Sequence, residues 1–226
     1  MPRPERRGPM SGREDERDAL LLAALPHVAF DGWTDAALKS GAMDAGFDQA
    51  DVIRFFPGGA GEAIAAFSGW ADRQMIEAVA AADLSAMRHS EKIAFAVRAR
   101  LEAVDPYREA IRRSISFLAL APNVPTGASL LYRTVDAMWR AVGDRSVDFS
   151  FYTKRALLAG VLSATTLYWL DDESEGRVES WAFLDRRLAD VLKIPKLRAR
   201  GERLLGRLPD PFRILRGMRD RARRMA

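Results

Sequence analysis

The sequence contains no cysteine, which excludes disulfides, thiolate nucleophiles and cysteine metal sites and is compatible with a reducing compartment. Neither of its two histidines, His27 and His89, has a glutamate three residues before it, so the Glu-x-x-His motif of di-iron helical bundles is absent. The glycine-rich segment 58–61 lacks the lysine and the preceding strand of a phosphate-binding loop. We interpret the acidic segment 171–173 as a solvated linker, because its composition is that of a turn. These absences predict a protein that is not an enzyme and holds no metal or cofactor.

Long apolar runs are also missing. No stretch approaches the roughly 20 apolar residues that a membrane-spanning helix requires, and the N-terminal residues have neither an apolar signal core nor the acid-free pattern of a transit peptide. We therefore expect a soluble, intracellular protein. The segment from Lys193 to Ala226 carries twelve basic and three acidic residues, a net charge of +9, whereas the remainder of the chain carries −5. Such a basic tail is typical of a segment that meets lipid headgroups or nucleic acid.

Helical periodicity is present almost throughout, and no segment alternates as a strand would. The fold class is therefore predicted to be all-α, and the hydrophobic content of 48% is sufficient for one principal core. Thr34 and Asp48 are suited to cap two short helices, and Gly32 and Gly46 follow helix ends. The predicted helices span residues 14–29, 34–45, 48–56, 60–82, 86–104, 106–121, 125–143, 150–171, 175–193 and 195–208.

The first three predicted helices resemble the helix-turn-helix of TetR-type regulators, in which the chain leaves the third helix through a turn like Phe55-Phe56-Pro57. In that family the third helix enters the major groove of DNA, which requires side chains that bind phosphates and base edges. Here this helix begins with Asp48 and Asp51, whose carboxylates would face DNA phosphates. We interpret residues 14–57 as a degenerate helix-turn-helix that has lost its DNA role. Three ordinary packed helices are an alternative on topology alone.

A more specific pattern occupies residues 135–161. It contains Asp136-x-Met138-Trp139, then Gly143-Asp144-x-Ser146-x-Asp148-Phe149, then Tyr152-Thr153-x-Arg155-Ala156-x-Leu158-Ala159. This pattern resembles the coenzyme Q biosynthesis protein nine family, the lipid-binding accessory proteins of ubiquinone synthesis. Weaker similarity extends over residues 18–210, including Gly32-Trp33-Thr34 and Pro122-Asn123-Val124-Pro125. Phe151 and Asp31 depart from the family, which often has tryptophan at the first position and has histidine at the second.

The resemblance implies a TetR-regulator-like helical bundle without demonstrated DNA binding, a lipid pocket in the larger domain and a final amphipathic helix that engages membranes. It also implies that the corner around Gly143 engages the di-iron demethoxyubiquinone hydroxylase. Aromatic and arginine side chains at such a corner are typical of an interface hot spot, although core packing of Trp139 and Tyr152 is an equal alternative. We further expect a homodimer. The predicted partner-binding residues are Trp139, Arg140, Asp148, Phe151, Tyr152 and Arg155.

Segments 115–121, 128–131 and 156–170 are unusually apolar. Helices that are apolar nearly all round lie in a core or border a cavity, and the small residues of segment 156–164 would leave room for a long chain. Close helix packing without a cavity is the commoner outcome for such a stripe, and the resemblance is what favours a lipid tunnel. The predicted lipid-binding residues are Phe117, Leu120, Leu130, Leu131, Met138, Leu157, Gly160, Val161, Ala164 and Trp181.

The basic tail, residues 195–226, places its leucines on one helical face and its arginines on the flanks, which is typical of a helix lying in a bilayer interface. Packing of these leucines on the protein's own body is the alternative. The density of arginine favours a membrane, because each basic residue near an anionic leaflet contributes ~1 kcal/mol. The predicted membrane-binding residues are Leu197, Arg198, Arg203, Leu204, Leu205, Arg207, Leu208 and Phe212.

These features predict four segments, which are a disordered N-terminus (1–13), the helix-turn-helix-like subdomain (14–57), a helical lipid-binding domain (58–194) and the basic tail (195–226). With the resemblance, they predict a non-enzymatic accessory protein that binds an isoprenoid quinone intermediate or a phospholipid and presents substrate to the hydroxylase. It would be cytoplasmic and peripheral at the inner face of a membrane, or on the matrix side in a eukaryote, with no nucleic acid partner. The alternative is a TetR-type ligand-responsive transcriptional regulator, which a gel shift on upstream DNA would reveal.

Overall fold

The computed structural model describes residues 9–144 and 149–205. Within these ranges the chain forms helices joined by short turns, and no strand occurs, so the all-α prediction is confirmed. Short 3₁₀ turns at Asp105–Tyr107, Ala121–Asn123 and Glu175–Arg177 precede three of the helices. The helices are α1 (Pro9–Asp31), α2 (Asp35–Asp44), α3 (Gln49–Phe55), α4 (Gly59–Ala81), α5 (His89–Ala103), α6 (Arg108–Leu118), α7 (Val124–Ala141), α8 (Phe149–Asp171) and α9 (Val178–Leu205).

Local capping explains where the short helices begin. The hydroxyl of Thr34 accepts a hydrogen bond from the backbone N–H of Ala37 at 3.2 Å, and Asp48 and Asp51 form a reciprocal capping box at the start of α3. Both predicted caps are therefore confirmed. The first helix begins earlier than predicted and takes in part of the segment predicted to be disordered, because Pro9 fits the first position of a helix.

The first helices pack closely. A Cβ atom at Gly41 of α2 would overlap the backbone of Ala24 in α1, so only glycine permits this approach. The buried Trp33, just before α2, donates from its indole nitrogen to the carbonyl of Ala110 in α6 at 3.2 Å, and its ring lies 6.0 Å from that of Phe67 in α4. These contacts fix α4 and α6, which form two walls of the cavity described below.

The chain divides into two compact units, residues 1–184 and 185–226. The first unit contains α1 to α8 and the beginning of α9. The second contains the rest of α9, where Arg187 and Asp190 form an ion pair at 3.1 Å. The predicted break between helices 175–193 and 195–208 is wrong, since α9 continues to Leu205. Proline at position 195 removes one backbone hydrogen bond but does not end this helix.

No single helix in the described part of the chain is both long enough and apolar enough to cross a bilayer. The segments Asp105–Leu118 and Ala121–Ala141 are long and apolar enough to cross a bilayer only when taken together, and they are bent by 97° to each other.

Candidate lipid cavity and docking corner

An apolar cavity of about 470 Å³ lies between α4, α6, α7 and α8. Its volume falls in the range of about 300–1,000 Å³ that is usual for small-molecule sites. On α4 and on α8, the lining residues recur at intervals of three or four positions, which places them on one face of each helix. The lining residues are Ile64, Phe67, Ser68, Ala71, Arg100, Ile111, Ser114, Ile115, Leu118, Ala119, Val124, Gly127, Ala128, Leu130, Leu131, Thr134, Leu162, Ser163, Thr166 and Leu167.

The corner between α6 and α7 forms one end of this cavity. The side-chain amide of Asn123 donates to the carbonyl of Phe117 at 3.0 Å, which holds the 3₁₀ turn between the two helices. A Cβ atom at Gly127 would lie 3.3 Å from that of Leu118, so the helices approach closely there. Beside this corner, Val124 and Leu167 line the cavity and are at least half exposed. We call the exposed apolar edge formed by Leu120, Val124 and Leu167 the rim.

The opposite end of the cavity is polar. The guanidinium of Arg100 donates from Nε to Asp72 Oδ1 at 2.7 Å and from Nη2 to the hydroxyl of Ser68 at 3.2 Å. The hydroxyl of Thr134 lies 3.0 Å from both carboxylate oxygens of Asp72. We call this cluster of four side chains the arginine pole; its members are Ser68, Asp72, Arg100 and Thr134. Its side chains come from α4, α5 and α7, so tertiary packing assembles it.

Two of the ten predicted lipid-binding residues, Leu130 and Leu131, line the cavity. The other eight do not: Phe117, Leu120, Met138, Leu157, Gly160, Val161, Ala164 and Trp181. Met138 is fully buried in the core, and Trp181 donates its indole N–H to the carbonyl of Gly176 at 2.8 Å. The α4 wall was missed altogether, although its apolar positions at Ile64, Phe67 and Ala71 have helical spacing.

The corner between α7 and α8 is built on a buried ion-pair network. The guanidinium of Arg155, 4% exposed, donates from Nε and Nη2 to Asp136 Oδ1 at 2.8 and 2.7 Å. Its Nη1 lies 4.0 Å from Asp144 Oδ2, and Lys154 pairs with Asp144 at 3.1 Å. The prediction that Arg155 contacts a partner directly is therefore corrected: this side chain is buried and positions the corner from within.

The exposed surface of this corner comes from other residues. Tyr152 is 68% exposed, and Arg140, also exposed, pairs with Asp136 at 2.7 Å. The ring of Trp139 is half-buried and stacks on His89 with 5.6 Å between centroids. Its indole N–H is buried and has no hydrogen-bond acceptor among the residues that the structure describes. We call Trp139, Arg140 and Tyr152 the docking corner.

Several predicted site residues fall outside the described part of the chain. In the corner these are Asp148 and the side chain of Phe151. In the tail, the backbone of α9 is described to Leu205 but side chains beyond Val191 are not, and Arg207, Leu208 and Phe212 lie outside the described residues. The remaining members of that set, whose backbone alone is described, are Leu197, Arg198, Arg203, Leu204 and Leu205.

Asp172 corrects the prediction of a solvated acidic linker. Its side chain is buried and accepts hydrogen bonds from the backbone N–H and hydroxyl groups of Ser174 and Ser180, at distances from 2.5 to 2.8 Å. Burial alone raises the pKa of Asp172, but these hydrogen bonds outweigh it and hold the pKa well below its ordinary value of 3.8. The carboxylate therefore anchors the start of α9, whereas its neighbours Asp171 and Glu173 are exposed.

The histidines do not form a metal site in the part of the chain described here. His27 lies 2.6 Å from Asp44 through its Nε2 atom, which links α1 to the end of α2. No group of three or more histidine, aspartate or glutamate side chains with metal-binding geometry occurs among the described residues.

Comparison with known proteins gives the chain a family. A family model described as COQ9 matches residues 124–195, which include α7 and α8. The ubiquinone biosynthesis protein COQ9 of Rattus norvegicus is 34% identical over 206 residues, covering 84% of this chain and 66% of the rat protein. The chain belongs to the COQ9 family. The COQ9 proteins of Drosophila melanogaster and Homo sapiens are each 33% identical to it, over 82% and 81% of this chain.

The chain spans 58 to 66% of the length of these COQ9 relatives, each of which is named as mitochondrial. Among solved structures, the TetR transcriptional regulator of Nitrosomonas europaea matches with a TM-score of 0.64 and 22% identity, over 78% of this chain and 97% of the regulator. At this identity the match establishes the fold alone. The predicted family and the predicted TetR-like fold are both confirmed.

Proposed function

We propose that the protein is a non-enzymatic accessory protein of ubiquinone biosynthesis that binds an isoprenoid quinone intermediate or a phospholipid and presents substrate to the demethoxyubiquinone hydroxylase. The apolar cavity is the observation that carries this proposal. Its walls are mostly Ile, Leu, Val, Phe, Ala and Gly side chains, so it would take a ligand that is mostly hydrocarbon. The relatives are named as ubiquinone biosynthesis proteins, and the lipids of that route carry isoprenoid chains.

The docking corner supports a protein partner. Tyr152 is largely exposed, and Arg140 is held by Asp136 on a frame that the buried Arg155 supports. Exposed aromatic and arginine side chains on a rigid frame are the usual anchors of an interface, because little conformational entropy is lost when they bind. We assign the hydroxylase to this surface. The helix α7 carries Trp139 and Arg140 of the docking corner and part of the cavity lining, so a partner docked there would lie beside the bound lipid.

Two features of the chain, one apolar and one basic, support a membrane surface as the source of the lipid. The rim exposes Leu120, Val124 and Leu167 beside the cavity, and burial of such side chains in lipid is favourable at roughly 25 cal/mol per Å². The basic tail would add attraction to anionic headgroups. We infer from them a protein that is peripheral to the membrane, at its cytoplasmic or matrix face, and a homodimer would double the attachment.

The test of lipid binding uses two substitutions at adjacent positions of α7. Ala128 lines the cavity and Ser129 does not, and both are exposed at the surface. We expect Ala128→Trp to fill the cavity and to reduce the lipid extracted from the purified protein, measured by mass spectrometry of the extract. Ser129→Trp should retain the wild-type amount. Bare wild-type protein, or equal retention by the two variants, would contradict cargo in this cavity.

The alternative function, DNA binding by the TetR-like fold, is disfavoured by the polar groups of α3. Asp48 and Asp51 form its capping box, and Arg54 pairs with Asp51 at 2.9 Å and with Glu16 at 3.6 Å. The charged groups of the helix are thus engaged with one another rather than presented as a basic surface. A gel shift on the upstream DNA of its own gene should detect no complex, and a specific complex would favour the regulator.

A further inference from the structure

The two ends of the apolar cavity differ in polarity. The rim end has exposed apolar side chains at Val124 and Leu167, whereas the lining at the other end includes the buried Phe67 and Ala71 and the buried hydroxyl of Thr134. A ligand made only of hydrocarbon would need no polar group at the end formed by the arginine pole. Burial of an arginine beside an apolar cavity is costly unless polar groups compensate it, so we consider which ligand groups could bind to Arg100.

Arg100 has hydrogen-bonding capacity to spare. Its side chain is only 11% exposed and lines the cavity. A guanidinium has five N–H groups, and among the described residues two of them have acceptors, Asp72 and Ser68. Two other cavity hydroxyls already have acceptors, since Ser114 and Thr166 donate to carbonyls one turn back in their own helices at 2.8 Å. The spare N–H groups of Arg100 are therefore available to an acceptor on a ligand.

The charge of the pole limits what that acceptor can be. Asp72 pairs with Arg100 at 2.7 Å, with 15% of its side chain exposed, so the pair is neutral as a unit. An anionic group would bring an uncompensated charge into an apolar cavity, which is unfavourable. An uncharged carbonyl, methoxy or hydroxyl oxygen brings no net charge and can accept hydrogen bonds from the remaining N–H groups of Arg100.

We propose that the arginine pole binds the uncharged, oxygen-bearing ring of an isoprenoid quinone or prenylated phenol, while the apolar chain of the ligand runs toward the rim. This inference rests on the proposed lipid-binding function and adds the ligand's orientation and headgroup class. Helix α7 sets the scale, since ten residues from Val124 to Thr134 span about 15 Å and five from Thr134 to Trp139 about 7.5 Å. The ring would lie at the end of the cavity nearer to the docking corner.

The test compares three ligands that share an isoprenoid chain of two units: a ubiquinone, the hydrocarbon without a headgroup, and geranyl diphosphate. Each competes with the uncharged fluorescent probe N-phenyl-1-naphthylamine for the full-length protein. We expect the quinone to displace the probe at a concentration about tenfold lower than the hydrocarbon, as one hydrogen bond to a charged group implies. The diphosphate should be the weakest of the three.

Substitutions then assign the preference to the pole. The double variant Arg100→Gln/Asp72→Asn stays neutral and leaves a side-chain oxygen for Thr134, but it has fewer hydrogen-bond donors. It should lose the quinone preference, so that quinone and hydrocarbon displace the probe at similar concentrations. If it does not fold, Arg100→Lys, which keeps the charge but not the planar fork of donors, should show the same loss. The matched control is Arg98→Gln/Glu102→Gln, an exposed ion pair on the same helix at 2.8 Å, which should keep the preference.

The outcomes separate the two proposals. Equal displacement by quinone and hydrocarbon in the wild type would overturn the assigned orientation while leaving lipid binding intact. Strongest displacement by the diphosphate would overturn the uncharged headgroup, and a quinone preference that survives at the altered pole would overturn the role of Arg100. If no ligand displaces the probe, both the proposed cargo and this inference fail.

Discussion

Replacement of Arg155 by methionine should destabilise the corner between α7 and α8. Methionine keeps an apolar stem of similar length but removes a guanidinium that lies within 2.8 Å of Asp136 and 4.0 Å of Asp144. Both carboxylates are mostly shielded from water, with 16% and 7% of their side chains exposed. Breaking a buried ion pair by removing one partner costs about 3–5 kcal/mol. Because Arg140 and Lys154 still pair with the two carboxylates, we expect about 3 kcal/mol, at the lower end of that range.

Urea unfolding of the wild type and the variant measures this loss as a change in midpoint at constant slope. Arg140→Met is the matched control, because Arg140 pairs with the same Asp136 but is 75% exposed. An exposed pair contributes less than about 1 kcal/mol. Equal losses for the two variants, or a loss below about 1 kcal/mol for Arg155→Met, would refute the positioning role of the buried arginine.

Three further predictions concern the start of α9, the docking corner and the tail. Asp172→Ala should lower the free energy of unfolding by about 3 kcal/mol at neutral pH, because hydrogen bonds to a charged group are lost. Asp171→Ala should lower it much less. Because the pKa of Asp172 is lowered on folding, its contribution is present above pH 3.8 and fades as the pH falls below it, so the urea midpoints of wild type and Asp172→Ala should converge in acid. Tyr152→Lys should abolish hydroxylase capture while leaving the melting temperature near wild type, and Tyr132→Lys, at another exposed tyrosine, should keep capture. Capture retained by Tyr152→Lys, or a large fall in its melting temperature, would contradict the role of Tyr152 as an exposed anchor. Deletion of residues 195–226 should remove salt-sensitive co-sedimentation with anionic liposomes, and equal binding by the truncated protein would exclude the tail as the membrane element.

Local signals were the part of the fold that the sequence could predict. Thr34, Asp48 and Gly32 act within three or four residues of themselves, as a cap, a capping box and a turn with φ of +71°. Their effects need no knowledge of the rest of the chain. The pattern in residues 135–161 likewise identified the family, because its length makes chance similarity rare.

Burial on a particular side of a helix was not predictable in the same way. Val161 is buried away from the cavity while its neighbour Leu162 lines it, because one residue turns the side chain by about 100° around a helix. A segment that is apolar all round carries no signal for that choice. Asp172 was misjudged for a related reason, since its burial depends on Ser180, eight residues later on α9.

The same helix explains how the proposed parts can work together. Val124 at the rim, Thr134 at the arginine pole and Trp139 at the docking corner all lie on α7, so their separations are fixed by helix geometry and not by a loop. If the ring of a ligand binds at the arginine pole, its chain would follow α7 toward the rim. The same helix carries Trp139 of the docking corner. Arg155 holds α8 to this helix through its ion pair with Asp136. We therefore expect Arg155 to affect presentation of the lipid through the stability of this ion pair and not through a contact with the partner.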